Sequence, residues 1–258
     1  MLLEMKEGIL YGPVNSRRYG RSLGINLMPS RDKLCSFNCV YCHYGNTRRC
    51  TMDVARFADE MPDFDAVVEA VEGAMTSPLA FDLITFSGNG EPTLYPRFGE
   101  LVEEVVRLRD KHRPAVKVAL LSNSSGLVRD EVCAVVAKID LPIFKLDAGR
   151  EETFLAINRP TKEVTFSSIV RHLSSLQDIY LQTVLVDGTP SNITVEELRA
   201  YADLVAAIRP IEVHAYSIDR PVESERISLV SPERLKEIAS RVEMETGVRV
   251  RAFGVGGR

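Results

Sequence analysis

The 258-residue sequence predicts an α/β fold, a partial (βα)6 TIM-like barrel, and two observations carry that expectation. Short β-branched runs alternate with longer amphipathic stretches at intervals of about thirty residues, which is the signature of βα units. The runs are apolar on both faces, as strands of a helix-covered parallel sheet must be, and right-handed crossovers curl such a sheet toward a barrel. About six repeats fall short of the eight of a complete barrel, so a wider side opening is expected, with the reactive end at the C-terminal ends of the strands. An open doubly wound sheet is the alternative arrangement.

In chain order, a first strand is expected over residues 22–27, where Ser-Leu-Gly-Ile-Asn-Leu runs into a cysteine-bearing loop. Further strands are expected at 81–86, 116–122, 142–147, 179–186, 211–217 and 248–253. Helices are expected at 63–75, 98–111, 129–138, 166–176, 195–208 and 232–245, where apolar residues recur at helical spacing. Thr194 ahead of Val195-Glu196-Glu197, and Ser231 ahead of Pro232, are capping signals that mark two helix starts. No Gly/Ser/Pro-rich linker or low-complexity stretch divides the chain, so residues 1–258 are expected to form a single domain.

Apolar residues at 45% and charged residues at 26% are ordinary globular values, which argues against disordered, collagen-like and disulfide-rich classes. No run approaches the roughly 20 apolar residues of a membrane span, and a cytoplasmic location without membrane contact is expected. The net charge of −4 does not suggest a general nucleic-acid binder. The average hides an asymmetry: residues 1–50 hold eight Lys/Arg against three acids, a balance of +5, leaving −9 for the rest. Four of the five cysteines (Cys35, Cys39, Cys42 and Cys50) lie within sixteen residues of this basic segment, and an odd total argues for a metal or redox site over a disulfide framework.

Cys35-Ser-Phe-Asn-Cys39-Val-Tyr-Cys42 places three thiols at spacings of four and three in one short loop. Three cysteines hold three irons of a cubane cluster and leave the fourth open to an outside ligand, whereas electron-transfer clusters have all four irons held by protein. An open iron can chelate the amino and carboxylate groups of a methionine moiety and pass an electron to its sulfonium. Structural zinc, with Cys50 or His43 as fourth ligand, is the competing reading of the spacing. Cys50 is either an added cluster ligand or an unligated thiol, and Cys133, within Val132-Cys133-Ala134-Val135-Val136, reads as core.

Polar residues gather at successive expected strand ends. Gly88, Asn89, Gly90 and Glu91 follow the strand at 81–86, where glycines let backbone approach a ligand closely; a glycine-rich turn with no ligand is the plainer alternative. Ser122 and Asn123 offer hydroxyl and amide groups suited to a ribose, and Asp147 could accept from ribose hydroxyls. Gln182 points to the same end, while Lys145 is suited either to the cluster or to a core acid. His214 and Tyr216 alternate on one strand and share a face; the histidine is either a satisfied core residue or a ligand contact. Arg17, Arg18, Arg21 and Arg220 form either an anion site or a solvated basic face.

The three-cysteine spacing, with Tyr41 just before the last cysteine, resembles the radical S-adenosylmethionine (radical SAM) superfamily. Residues 12–26, Gly-Pro-Val-Asn-Ser-Arg-Arg-Tyr-Gly-Arg-Ser-Leu-Gly-Ile-Asn, are similar to the N-terminal segment of the branch that includes the wyosine-base-forming tRNA enzymes. Residues 86–94 (Phe-Ser-Gly-Asn-Gly-Glu-Pro-Thr-Leu) and 216–221 (Tyr-Ser-Ile-Asp-Arg-Pro) resemble that branch too. The resemblance implies a radical SAM core fold, one [4Fe-4S] cluster on Cys35, Cys39 and Cys42, S-adenosylmethionine as cofactor, and an external one-electron donor of flavodoxin or ferredoxin type. It places the family's Gly-Gly-Glu element, which binds the cofactor's amino group, on Asn89, Gly90 and Glu91, with Asn89 departing from the double glycine. It also marks Tyr216 as an adenine contact. The implied activity is reductive cleavage of the cofactor to a 5′-deoxyadenosyl radical that abstracts hydrogen from a substrate.

The wyosine-forming enzymes carry a second cluster with three cysteines of its own, and only Cys50 and Cys133 remain here, so that particular reaction is not expected. A nucleotide or tRNA, a small molecule, or a partner protein receiving a glycyl radical are the substrates the resemblance leaves open. A reading from a different class is an iron–sulfur electron carrier or zinc-stabilised binding module without affinity for S-adenosylmethionine.

Overall fold

The structure, a computed structural model, describes residues 2–16 and 18–254. The expectation for Arg17 falls outside the described residues. In chain order the first half comprises β1 (Leu10–Ser16), β2 (Gly20–Ile25), β3 (Leu34–Cys35), β4 (Arg49–Cys50), α1 (Phe64–Thr76), β5 (Leu83–Phe86), α2 (Phe98–His112), β6 (Lys117–Ser122) and α3 (Asp130–Val136). The second half comprises β7 (Leu141–Lys145), α4 (Glu151–Asn158), α5 (Phe166–Ser175), β8 (Tyr180–Gly188), α6 (Val195–Ile208), β9 (Glu212–Ser217), β10 (Ile227–Leu229), α7 (Pro232–Thr246) and β11 (Val250–Phe253). The alternation of parallel strands and helices is the one the apolar periodicity predicts. Four caps act as residue chemistry requires: the side chains of Asp63, Thr165, Thr194 and Ser231 accept backbone N–H groups in the first turns of α1, α5, α6 and α7.

The chain divides into two compact units, each discontinuous in sequence. In the unit made of residues 5–36 and 48–143, β1 runs antiparallel to β2, and β2, β5 and β6 are successive parallel neighbours. Every residue of β5 is buried, as a strand covered on both faces must be. Phe86 on β5 meets Phe98 on α2 edge to face at 5.3 Å between centroids, and Leu101, Val105 and Leu108 continue the buried stripe of that helix.

In the unit made of residues 2–4, 37–47 and 144–254, β8, β9 and β11 are parallel neighbours, with Gln182 opposite His214 and Val184 opposite Tyr216. The short β10 adds an antiparallel pairing to β8. Val40 and Tyr41 of the cysteine loop are buried in an apolar cluster with Ile157, Val184, Val186 and Ile227, which anchors the loop from within.

Five elements depart from the sequence expectations: β1, the two-residue strands β3 and β4, β10 and α4. β1 and β10 pair antiparallel, which the parallel pattern does not foretell. The eight-residue helix α4 lacks a capping side chain and spans little more than two turns, too few for its apolar spacing to stand out.

Candidate functional site

In the unit carrying Cys35, the backbone of Leu34 and Cys35 is held from two sides. β3 and β4 pair in parallel, with Cys35 opposite Cys50, and Thr51 donates its N–H to the Cys35 carbonyl at 3.0 Å. The turn after β5 supplies the other side: Leu34 N–H donates to the Asn89 carbonyl at 3.1 Å and Glu91 N–H to the Leu34 carbonyl at 3.2 Å. Gly90 makes this approach possible. Its φ is +145°, and a Cβ there would lie 1.7 Å from the Leu34 carbonyl oxygen. Gly88 lies beside the Asn26 side chain, so the close approach these glycines allow is to the chain's own groups.

Asn89 interrupts the double glycine for a visible reason. Its Nδ2 donates to the carbonyls of Lys6 and Pro29 at 2.9 and 3.0 Å, and its Oδ1 accepts the Lys6 N–H at 2.7 Å. The fully buried Glu91 carboxylate accepts from Thr93 N–H and Oγ1, from Ser122 Oγ at 2.8 Å and from Asn123 N–H at 2.6 Å. Asn123 in turn donates from Nδ2 to Ser36 Oγ at 2.9 Å and to Cys35 Sγ at 3.4 Å. Glu91, Ser122, Asn123 and Cys35 therefore form one hydrogen-bonded group.

Burial pushes the Glu91 carboxyl above its ordinary value, against the pull of the bonds from Asn123, Thr93 and Ser122. A raised folded value favours the protonated form in the folded chain, so the stability it contributes is full at low pH and is lost as pH rises through the raised value. Glu91→Gln abolishes that titration. The melting temperature of the variant relative to wild type should therefore climb with pH from about the ordinary carboxylate value upward, and parallel pH profiles would expose the assignment as wrong.

In the unit carrying Cys39 and Cys42, the C-terminus of α4 holds the loop. Val40 N–H donates to the Ile157 carbonyl at 2.9 Å and Asn38 N–H to the Asn158 carbonyl at 3.1 Å, so carbonyls left over at a helix end are satisfied by backbone on both sides of Cys39. The Asn158 side chain donates from Nδ2 to Asp147 Oδ2 at 2.7 Å, Tyr41 Oη at 3.1 Å and Cys39 Sγ at 3.5 Å. Tyr41 donates its hydroxyl to Asp147 Oδ2, and Val184 N–H donates to Asp147 Oδ1 at 2.8 Å.

Lys145 Nζ stands 3.8 Å from Asp147 and over the rings of Tyr41 and Tyr216. Burial works against its charge, yet Asp147, Tyr216 and Cys39 hold its pKa above the ordinary value. Burial, followed by Asp147, pushes the Cys39 thiol up to about 11, so metal binding must displace its proton. Tyr216, half-buried, donates to Gln182 Oε1 at 3.3 Å. A cavity of about 320 Å³ lies against Cys39 and Cys42 and is bordered by Asn46, Arg159 and Glu223.

The other residues singled out in the sequence fall as follows. His214 is a core histidine: Nε2 lies 2.8 Å from Glu212, and the ring stacks on Tyr180 and meets the Phe253 edge. Arg21 is in an exposed ion pair with Asp82 at 3.0 Å, Arg18 lies over the Tyr19 ring, and Arg220 is exposed. Cys133 is half-buried and donates to the Leu127 carbonyl at 3.1 Å. Lys33 is buried, and Arg49 is ion-paired with Glu60 and Asp32, so part of the basic balance of the first fifty residues is taken up internally.

Asn158 is the contact that sequence reasoning missed, because it depends on a helix that itself gave no signal. Among the described residues no three His, Cys, Asp or Glu side chains are gathered as a ready metal site. The donor set nevertheless fits an iron–sulfur cluster by its chemistry: three half-buried thiols lie within eight residues, and two of them accept side-chain amide N–H groups.

The Radical SAM superfamily model matches residues 33–205, a stretch that contains the cysteine loop, the turn after β5 and all the polar strand-end residues through Gln182. The chain belongs to the radical SAM superfamily. Membership makes it an iron–sulfur, S-adenosylmethionine-binding protein of an enzyme class that works by radical chemistry. It is 31% identical to a UPF0026 protein of Synechocystis sp. over 271 residues, covering 95% of this chain and 96% of that one. It is 29% identical over 252 residues to a protein named GTPase Obg from Brachyspira hyodysenteriae, covering 96% of this chain but spanning only 35% of that protein's length. The solved structure of TYW1 with a lysine-pyruvate adduct bound shares the fold, with a TM-score of 0.58 at 16% identity over 88% of this chain and 75% of that one. Among the described residues no helix is long and apolar enough to cross a membrane.

Proposed function

We propose that Cys35, Cys39 and Cys42 bind one [4Fe-4S] cluster and that the chain cleaves S-adenosylmethionine reductively, directing the resulting radical at a nucleotide-bearing substrate. The observation that carries this reading is the anchored loop: backbone on both sides of Cys39 is held by the end of α4, and the strand at Cys35 is held by the turn at 89–91. Bound together, the cluster and cofactor supply a one-electron cleavage of the sulfonium to methionine and a 5′-deoxyadenosyl radical. The chain's residues orient and shield that chemistry.

The turn formed by Gly88, Asn89, Gly90 and Glu91 is the proposed seat of the cofactor's methionine end. Its side chains are already committed to protein partners, so its contacts would come from backbone. Ser122 and Asn123 brace that turn, while Tyr41 and Asp147 brace Cys39. Tyr216 and Gln182 are the proposed adenosine contacts, the half-buried tyrosine ring offering a face to stack. A flavodoxin- or ferredoxin-like protein is the proposed electron donor.

Arg21 and Arg49 are paired to acids, which neutralises two of the cations of the first fifty residues within the protein itself. RNA affinity should accordingly fall only gently as salt rises, and a steep salt dependence would indicate an extended RNA surface instead.

The direct test is anaerobic reconstitution with iron and sulfide, followed by dithionite and S-adenosylmethionine, with 5′-deoxyadenosine assayed by chromatography. Wild type should form it and Cys39→Ala should fall to background. Zinc in place of iron, or a loaded cluster without affinity for S-adenosylmethionine, would overturn the reading.

A further inference from the structure

Two buried asparagines donate side-chain amide N–H groups to cysteine sulfurs: Asn158 to Cys39 at 3.5 Å and Asn123 to Cys35 at 3.4 Å. Both are almost wholly buried and fixed from behind, Asn158 by Asp147 and Asn123 by Ser36 and the Ser125 N–H. Neither amide can turn away without leaving another partner unmet.

We propose that Asn158 and Asn123 are positioning residues that set the reduction potential of the cluster, resting on the reading that Cys35 and Cys39 ligate it. An N–H dipole aimed at a thiolate draws charge off the iron–sulfur bond and stabilises the more negative, reduced cluster more than the oxidised one. Removing the donor therefore makes reduction harder. Only the part of a charge-assisted hydrogen bond that differs between oxidation states reaches the potential. About a tenfold loss in the reduction equilibrium is expected for each, which is about 59 mV for a one-electron couple.

Asn158 also donates to Tyr41 and Asp147, so a purely architectural role is the competing explanation, and the test must separate the two. Asn158→Leu keeps the branched arrangement of four side-chain heavy atoms and removes the donor, and Asn123→Leu does the same at the other cysteine. Wild type and both variants are reconstituted anaerobically, cluster content is measured as iron and sulfide, and the midpoint potential is followed by electron paramagnetic resonance. Resonance Raman gives the Fe–S(Cys) stretching bands of the loaded fraction.

The expected result is near-normal loading, a midpoint more negative by about 59 mV in each variant, and Fe–S(Cys) bands shifted to higher frequency as the bond regains charge. Loaded variants with wild-type midpoint and bands would overturn the proposal. Failure of both variants to load would also overturn it, by making the asparagines requirements of the loop's architecture. A wild-type protein that loads no cluster would instead sink the underlying reading, which keeps the two failures distinct.

Discussion

Gly90→Ala should abolish cluster loading and lower the melting temperature by roughly 10 °C, the size expected when about 4 kcal/mol is lost from a chain of this length. The added Cβ would sit 1.7 Å from a backbone carbonyl at a residue whose φ of +145° L side chains rarely adopt. Neither the clash nor the strain can be relieved by a side-chain rotation, because the obstructing atom belongs to Leu34, directly before Cys35. The matched control is Gly73→Ala within α1, where a Cβ meets nothing within 4 Å and the better helix former should stabilise by about 0.5–1 kcal/mol. Thermal unfolding and iron content measure both variants. A Gly90→Ala protein that melts and loads like wild type would show that the loop does not lie against the turn.

Asp147→Ala should cost about 3–5 kcal/mol, the range for removing one partner of a buried charge pair. The substitution strands the Val184 N–H, the Tyr41 hydroxyl and the Asn158 amide together, and leaves Lys145, only 14% exposed, without its carboxylate. Asp147→Asn should fall between the two, since an amide keeps one acceptor but turns an NH2 toward groups that donate. Chemical denaturation gives the energies. In the unloaded protein, reaction of Cys39 with a thiol reagent should quicken as the network that buries it loosens. A midpoint shift equivalent to less than about 0.5 kcal/mol, as for an ordinary surface change, would remove Asp147 from any supporting role.

These two positions show how far the sequence could be read. The run of Ser87-Gly88-Asn89-Gly90-Glu91 after a strand marks a tight turn at a strand end, and the structure puts one there. That the glycine serves the chain's own Leu34, fifty-six positions away, is invisible to periodicity, which reports whether a face is buried and not what buries it. Asp147 was legible as a polar residue at a strand end; its partners Tyr41 and Asn158 lie 106 and 11 positions away. Arg21 and Arg49 read as a basic segment, and only the fold brings Asp82 and Glu60 beside them.

The alternation of strands and helices, two helix starts and the three-cysteine loop that defines the family are legible in the sequence, because apolar spacing, capping chemistry and ligand spacing are all local. The tertiary structure alone decided the antiparallel β1 and β10, the short α4 and the partner of every buried polar group. Those features depend on contacts between segments distant in the chain, as when Asn158 reaches Cys39 across 119 positions. A buried amide or carboxylate must find a partner wherever the fold brings one. Its residue type records that need, while the address is written only in three dimensions.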